Sequence, residues 1–276
     1  MIGWTTIGHK WQDALDMRDL LIWASLTGLL AVLPAIGSAA DERDDFLTGA
    51  TKACVACELA GRDLAGRDFK RAKLDRANLR GVNLSNSTLF RASLVRADLS
   101  AANLAGSNLN LVDAKWADLG GANLAGALLY EADLSTANLA KADLRGAFMG
   151  RSRLGQANLE DAILRGADLR AARLAGTRLS GADMRGAKLD RQNLRGQDLR
   201  GVNFAMADMA EADLSGADLR GATLAGANLF GADLHGADLR GTNLEGANLT
   251  NAILSDAQTE GARFDAAIMP NGRRSE

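Results

Sequence analysis

The chain has 276 residues, 47% of them hydrophobic but only 4% aromatic, with 30 Gly, 2 Pro, 2 Cys and a formal net charge of -2. The mixture suits a core built by repetition from Leu and Ala and excludes one filled with rings. With only 2 His and 2 Cys, it leaves little for a nucleophilic triad or a four-ligand zinc site.

Residues 1–40 differ in character from the rest. Leu20 to Ala39 is an apolar run interrupted by Pro34 and followed by Asp41-Glu42-Arg43-Asp44-Asp45. Small residues at Ser38 and Ala40 stand where a cleavage signal would place them, so the segment reads as a secretory leader. The nineteen residues before the run are long for such a leader and carry Asp13, Asp16 and Asp19. Met17-Arg18 makes a better start, which points to translation from Met17. The competing reading is an uncleaved N-terminal transmembrane anchor, since about 20 apolar residues span a bilayer. The expected location is periplasmic or secreted, or tethered to a membrane if the leader is kept.

Residues 41–56 are expected to cap the segment that follows, with Phe46 and Leu47 covering its open apolar end. Cys54 and Cys57 form a CxxC pair. A haem site would want His after the second Cys, where Glu58 stands, and zinc would need two more ligands. The pair falls on inward positions and is a candidate disulfide in an exported protein.

From Leu59 to Phe264, stepping five residues at a time, every position is Leu, Phe or Met except Ala114 and Thr259. Two residues before each stands Ala or another small residue, except at Arg62, Arg67, Gln192 and Gln197. A helix advancing 100° per residue would scatter a five-residue period around its whole circumference. A flat strand would send it alternately to both faces. The remaining solution is a chain that runs extended for three residues and then turns a corner over two. Gly is frequent at the second corner position, as at Gly216, Gly221 and Gly226. Such a chain must coil. Asp198-Leu199-Arg200 returns at 218–220 and 238–240, which favours twenty residues and four faces per coil, some ten coils in all, and a rod on the order of 50 Å long. Both prolines, Pro34 and Pro270, lie outside the array, as a ladder using every N–H requires.

The unit Ala-Asp/Asn-Leu-x-x, as in Ala217-Asp218-Leu219-Arg220-Gly221, resembles the pentapeptide repeat family motif over about three quarters of the chain. The resemblance implies an all-β, right-handed quadrilateral β-helix, here spanning 57–269 after a helical leader. It implies little about function, because members share a scaffold and differ in what its surface binds. Ile268-Met269-Pro270-Asn271-Gly272 resembles the family's finish, leaving 270–276 as an expected disordered tail. Arg62 and Arg67 cannot be buried unpaired, so regular coiling is expected to begin only near Phe69.

Outward positions should be polar, yet Phe90, Leu111, Leu128, Tyr130 and Phe148 occupy them on one face over four successive coils, with Phe230 returning to it and Trp116 flanking it. This is the candidate docking face for a protein partner or a second copy. Arginines crowd residues 141–200, whereas 201–265 carry three basic and ten acidic side chains; much of this charge should neutralise along the stacked coils. Beyond the leader His235 is the single His, at a solvated corner, and no concave site is foreseen. The expected function is therefore a non-enzymatic, exported interaction scaffold, without cofactor or metal and with no nucleic-acid partner. The alternative is a tethered or intracellular regulator that binds a nucleic-acid enzyme in the manner of the family's DNA mimics.

Overall fold

The computed structural model describes residues 39–276. The expected leader lies outside the described residues but for Ala39 and Ala40, and so do the cleavage and anchor readings. No helix among the described residues is long and apolar enough to cross a membrane.

The described chain opens with helix α1, Ala39–Thr48. Asp41 and Glu42 stand in its first turn, where carboxylates favour the helix dipole. Gly49, at φ +85, ends it and donates to the carbonyl of Phe46 at 3.1 Å. The Phe46 side chain is buried and stacks on Phe69 with ring centroids 5.2 Å apart. The helix thus lies with Phe46 against the apolar end of the first coil.

After α1 one bridge pattern repeats along almost the whole chain. Ala53 pairs with Lys73, Glu58 with Asn78, and so on to Asn248 with Ile268, each parallel and each twenty residues apart. A coil is therefore four five-residue units. The echo at 198, 218 and 238 is a column of directly bridged residues. The central side chains, from Leu59 to Leu249, lie inside with almost no exposure, and the Ala positions beside them are buried too. Burying each Leu contributes about 1.5–3 kcal/mol.

The corners explain the rest of the motif. The N–H after each corner bonds back across it, as Ala72 does to the Phe69 carbonyl at 3.0 Å, and the residue before it has positive φ, as in a type II turn. Gly suits that position, and at Gly106 (φ +64) a Cβ would stand 2.6 Å from Asn86 Oδ1. Leu111 and Trp116 hold φ +59 and +56 there despite their bulk. Since many other non-Gly residues do the same, this strain belongs to the corner and not to those two. The Asp or Asn of the motif accepts the N–H two residues on, as Asn103 does from Ala105 at 3.2 Å. Its side chain thereby holds the corner's first amide.

Three boundaries differ from the sequence reading. Pairing begins at Ala53, ahead of the boundary expected at 57 and well ahead of Phe69. Arg62 lies exposed, so it disturbs nothing. Arg67 is half-buried because α1 gives it a partner: its guanidinium donates to the Leu47 carbonyl and sits 5.3 Å from the Phe69 ring centre. The tail 270–276, expected to be disordered, instead folds back over the last coil. Ser275 donates to the carbonyls of Ala267 and Phe264, and Ile268 bridges Arg274 in antiparallel sense. The turn at Pro270 to Gly272 brings the Ser275 N–H to the Ala267 carbonyl, which occupies the position that elsewhere accepts from the next coil.

The ladder has one break. The bridges 173 to 193 and 178 to 198 are missing among the described residues, while 163 to 183 and 168 to 188 on the other two sides persist. Gln192 and Gln197 stand at this opening. Gln192 Nε2 donates to the carbonyls of Leu169 and Ala172, both at 2.9 Å, and Gln197 Nε2 to that of Leu174 at 2.9 Å. Amide side chains thus reach across the opening, and beside Gln197 a hollow of about 450 Å³ remains between Thr177, Arg178, Leu179, Ser180 and Asp198.

Candidate functional site

The side of the coil centred on Leu89, Leu109, Leu129 and Met149 carries the sequence's candidate face. The structure keeps part of it. Leu128 bridges Phe148 directly on the next coil, and with Tyr130 they are 36%, 52% and 43% exposed. Phe90 and Leu111, expected to be exposed, are half-buried. Arg91 lies over the Phe90 ring at 5.2 Å and covers it. Phe230 is exposed on the same side farther along. Trp116 is exposed on the next side, beneath Arg96 at 5.3 Å from its ring centre.

Two adjoining grooves open at this face. The first, about 330 Å³, runs between Tyr130, Phe148, Gly150, Arg151, Asp168 and Arg170. Gly150 keeps its floor low, since a Cβ there would touch the Tyr130 ring. The second, about 510 Å³, is shared by Leu111, Glu131, Arg151, Arg153, Ala171 and Arg173. A third hollow of about 410 Å³ joins Val55, Val95 and Trp116 to Asp75, Arg76 and Arg96. Val55 escaped the sequence reading because it precedes the first central Leu. It shares its corner position with Val95, so the twenty-residue period does reveal it. The exposed side chains of Met206 and Ile253 were also missed.

The charges largely neutralise one another. Arg200, Arg220 and Arg240 each grip the Asp two residues earlier with two nitrogens, at 2.6–2.9 Å. Arg220 also reaches Asp238 on the following coil at 3.5 Å. Hydrogen bonds from Arg240 hold the Asp238 carboxyl down at about 2, and Arg185, with help from Arg165, does the same for Asp183. These arginines are pinned in place by their own repeats.

Cys54 and Cys57 are joined as a disulfide, with Cα atoms 5.3 Å apart and both side chains buried at the first coil. His235 is exposed, with Nδ1 near the Ser255 carbonyl at 3.1 Å and Asp256 at 3.6 Å. Among the described residues no group of three or more His, Cys, Asp or Glu side chains is placed to hold a metal.

Fold and surface define a β-solenoid of five-residue units whose outward chemistry is set unit by unit. The sequence profile described as pentapeptide repeats matches in 8 copies covering residues 54–265, and the chain belongs to that family. Among solved structures it is similar to HetL, a pentapeptide repeat protein involved in heterocyst differentiation regulation from the cyanobacterium Nostoc sp. strain PCC 7120. The identity is 32% over 86% of this chain and 98% of that one, with a TM-score of 0.43. It is also similar to Rfr23 from the cyanobacterium Cyanothece 51142, at 29% identity over 53% and 95% of the two chains and a TM-score of 0.25. A pentapeptide repeat protein of the Arabidopsis thaliana thylakoid lumen shares 24% identity over 54% and 72%, with a TM-score of 0.24. No match is found among curated proteins.

Proposed function

We propose that this chain is an exported, non-enzymatic interaction scaffold that docks a protein partner on the Leu128, Tyr130 and Phe148 face. The observation that carries the reading is that exposed Leu128 bridges exposed Phe148 on the next coil, both on positions the repeat mostly gives to Asp or Asn, with exposed Tyr130 at the adjoining corner. Exposed apolar side chains that adjoin across coils form a patch where single exposed residues would not. Arg151, whose guanidinium carbon lies 5.9 Å from the Tyr130 ring centre, gives the patch a charged rim. The right-handed, four-sided course of the coil, implied by the family resemblance, supplies the rigid backing. Export rests on the apolar run ending at Ala39 and the small residues after Pro34.

The test joins Tyr130→Ser to Phe148→Ser in the full chain. Both side chains point out of the core, so the melting temperature should hold within about 2 °C. Proteins recovered from the exported compartment by the parent and lost by the double variant would identify the partner. Equal recovery by both sinks the face. A chain isolated with residues 1–40 intact would remove cleavage from the reading and leave tethering.

A further inference from the structure

On the side of the coil after the aromatic face, the repeat's outward position reads, between Asp133 and Ile253 and coil by coil, Arg153, Arg173, Asn193, Asp213, Asp233. Arg153 bridges Arg173, and Asp213 bridges Asp233, so like charges stand directly opposite on adjacent coils. That arrangement is unfavourable by itself. Arginine here also forgoes the local bond that Asp133 makes to the Ser135 N–H at 3.1 Å and Asp213 to the Ser215 N–H at 3.0 Å. The chain's other remedy for surface charge, an Asp two residues before each Arg, is absent for both: residues 151 and 171 are Arg and Ala. Arg153 shares Asp133 with Lys115, at 3.4 and 3.7 Å, and Arg173 makes no ion pair among the described residues. Asp213 and Asp233 make none either. Each uses Oδ1 on local hydrogen bonds and leaves Oδ2 without one among the described residues.

Two cations, a neutral residue and two anions at equal sequence spacing form a column that complements its own reverse. A second copy laid face to face and turned end for end about an axis beside Asn193 sets Asp213 against Arg173 and Asp233 against Arg153, twice over by symmetry. Such an isologous contact closes on itself and does not propagate. Gly155, Ala175, Gly176 and Gly196 border the column, with the exposed Arg195 among them beside Asn193. The ladder opening between 173 and 193 lengthens one step of the column, and the long arginine side chains take up the difference.

We propose that this side is a self-association surface, on which two copies pair antiparallel in a register fixed by Arg153 and Arg173 against Asp233 and Asp213. The aromatic face plays no part in it. The paired column of five coils is only about 20 Å long, and exposed ion pairs contribute little each. The dimer is therefore weak and salt-sensitive, with charge setting register more than strength.

Sedimentation velocity of the full chain tests it, at about 0.05 M and about 0.5 M salt. The parent should dimerise at low salt and dissociate at high salt. The variant Arg153→Asp with Arg173→Asp has an all-anionic column, and Asp213→Arg with Asp233→Arg an all-cationic one. Each alone should associate at least about tenfold more weakly than the parent, and their equimolar mixture should recover the dimer. A parent that is monomeric at low salt, either variant dimerising like the parent, or a mixture that stays monomeric overturns the proposal. Tyr130→Ser with Phe148→Ser should leave the dimer intact. Loss of the dimer in that variant would move the contact to the aromatic face, whereas loss of a partner with the dimer retained bears on the docking reading alone.

Discussion

Gln192 Nε2 donates to the Ala172 carbonyl at 2.9 Å, in the place that the backbone N–H of the following residue fills elsewhere in the ladder, as Ser93 N–H does for the Ala72 carbonyl at 2.8 Å. A side chain has replaced a rung. In the neighbouring unit Gln197 adds a second donor to the Leu174 carbonyl, which the Thr177 N–H already holds at 3.0 Å, and the two coils part along these two adjacent sides while staying closed along the other two. A buried carbonyl left without a donor would cost about 1–3 kcal/mol. Gln192 keeps that cost from falling on the Ala172 carbonyl.

This geometry makes the glutamines the cause of the opening, since Ala is the ordinary residue at both positions. Replacing both with Ala should let Asn193 and Asp198 recover backbone bonds to Ala172 and Thr177. Amide hydrogen exchange at 193 and 198 should slow by an order of magnitude or more, and global stability should change by less than about 1 kcal/mol. Faster exchange at those amides would show that the coils are held apart by something else and that the amides were supporting them.

The period of five was enough to place every central Leu, because a chain that corners at each fifth step has only one inside. The coil length was legible too, from the Asp-Leu-Arg echo at 198, 218 and 238, because stacked corners repeat their chemistry. What escaped was anything depending on a neighbour outside the repeat. Arg67 read as a misfit until α1 supplied the Leu47 carbonyl. The tail reads as disordered from its sequence because its partner, the Ala267 carbonyl, belongs to the last coil and not to the tail itself. The surface was half legible for the same reason. Position alone marked Phe90 as exposed, but whether a neighbouring Arg lies across a ring is decided by side-chain conformation, which has no period.

The Cys54–Cys57 disulfide ties down the first corner, which no earlier coil among the described residues holds. Because each coil contacts only its neighbours, the effect of removing it should stay local. Replacing both residues with Ala closes no loop in the unfolded chain and should lower the stability of the N-terminal coils by roughly 2 kcal/mol, in the loop-entropy account for so short a loop. Hydrogen exchange should accelerate at Leu59 and Leu64 and stay unchanged beyond about Leu119. Uniform acceleration along the array would mean that the solenoid unfolds as one unit and that the closed end controls it.

Acid should find the array's weak column. Asp238 and Asp183 are held at about 2 by their arginines, below the usual carboxylate range near 3.9. A carboxyl depressed in the folded state contributes stability that is fully present above its unfolded pKa and is lost as pH falls through the folded one. The melting temperature should therefore be flat from about pH 7 to pH 5 and fall between about pH 4 and pH 2. Asp218 and Asp198, lowered chiefly by hydrogen bonds from Arg220 and Arg200, act in the same direction. Asp238→Asn isolates the charge, since Asn still accepts the Arg240 N–H that Asp238 takes at 3.2 Å. The variant should be less stable than the parent at pH 7 by no more than about 1 kcal/mol, because Arg240 remains partly in solvent. The two melting curves should converge near pH 2, where the parent's carboxyl takes up its proton. A constant gap across the whole range would assign the loss to packing and remove the ion pair from the account.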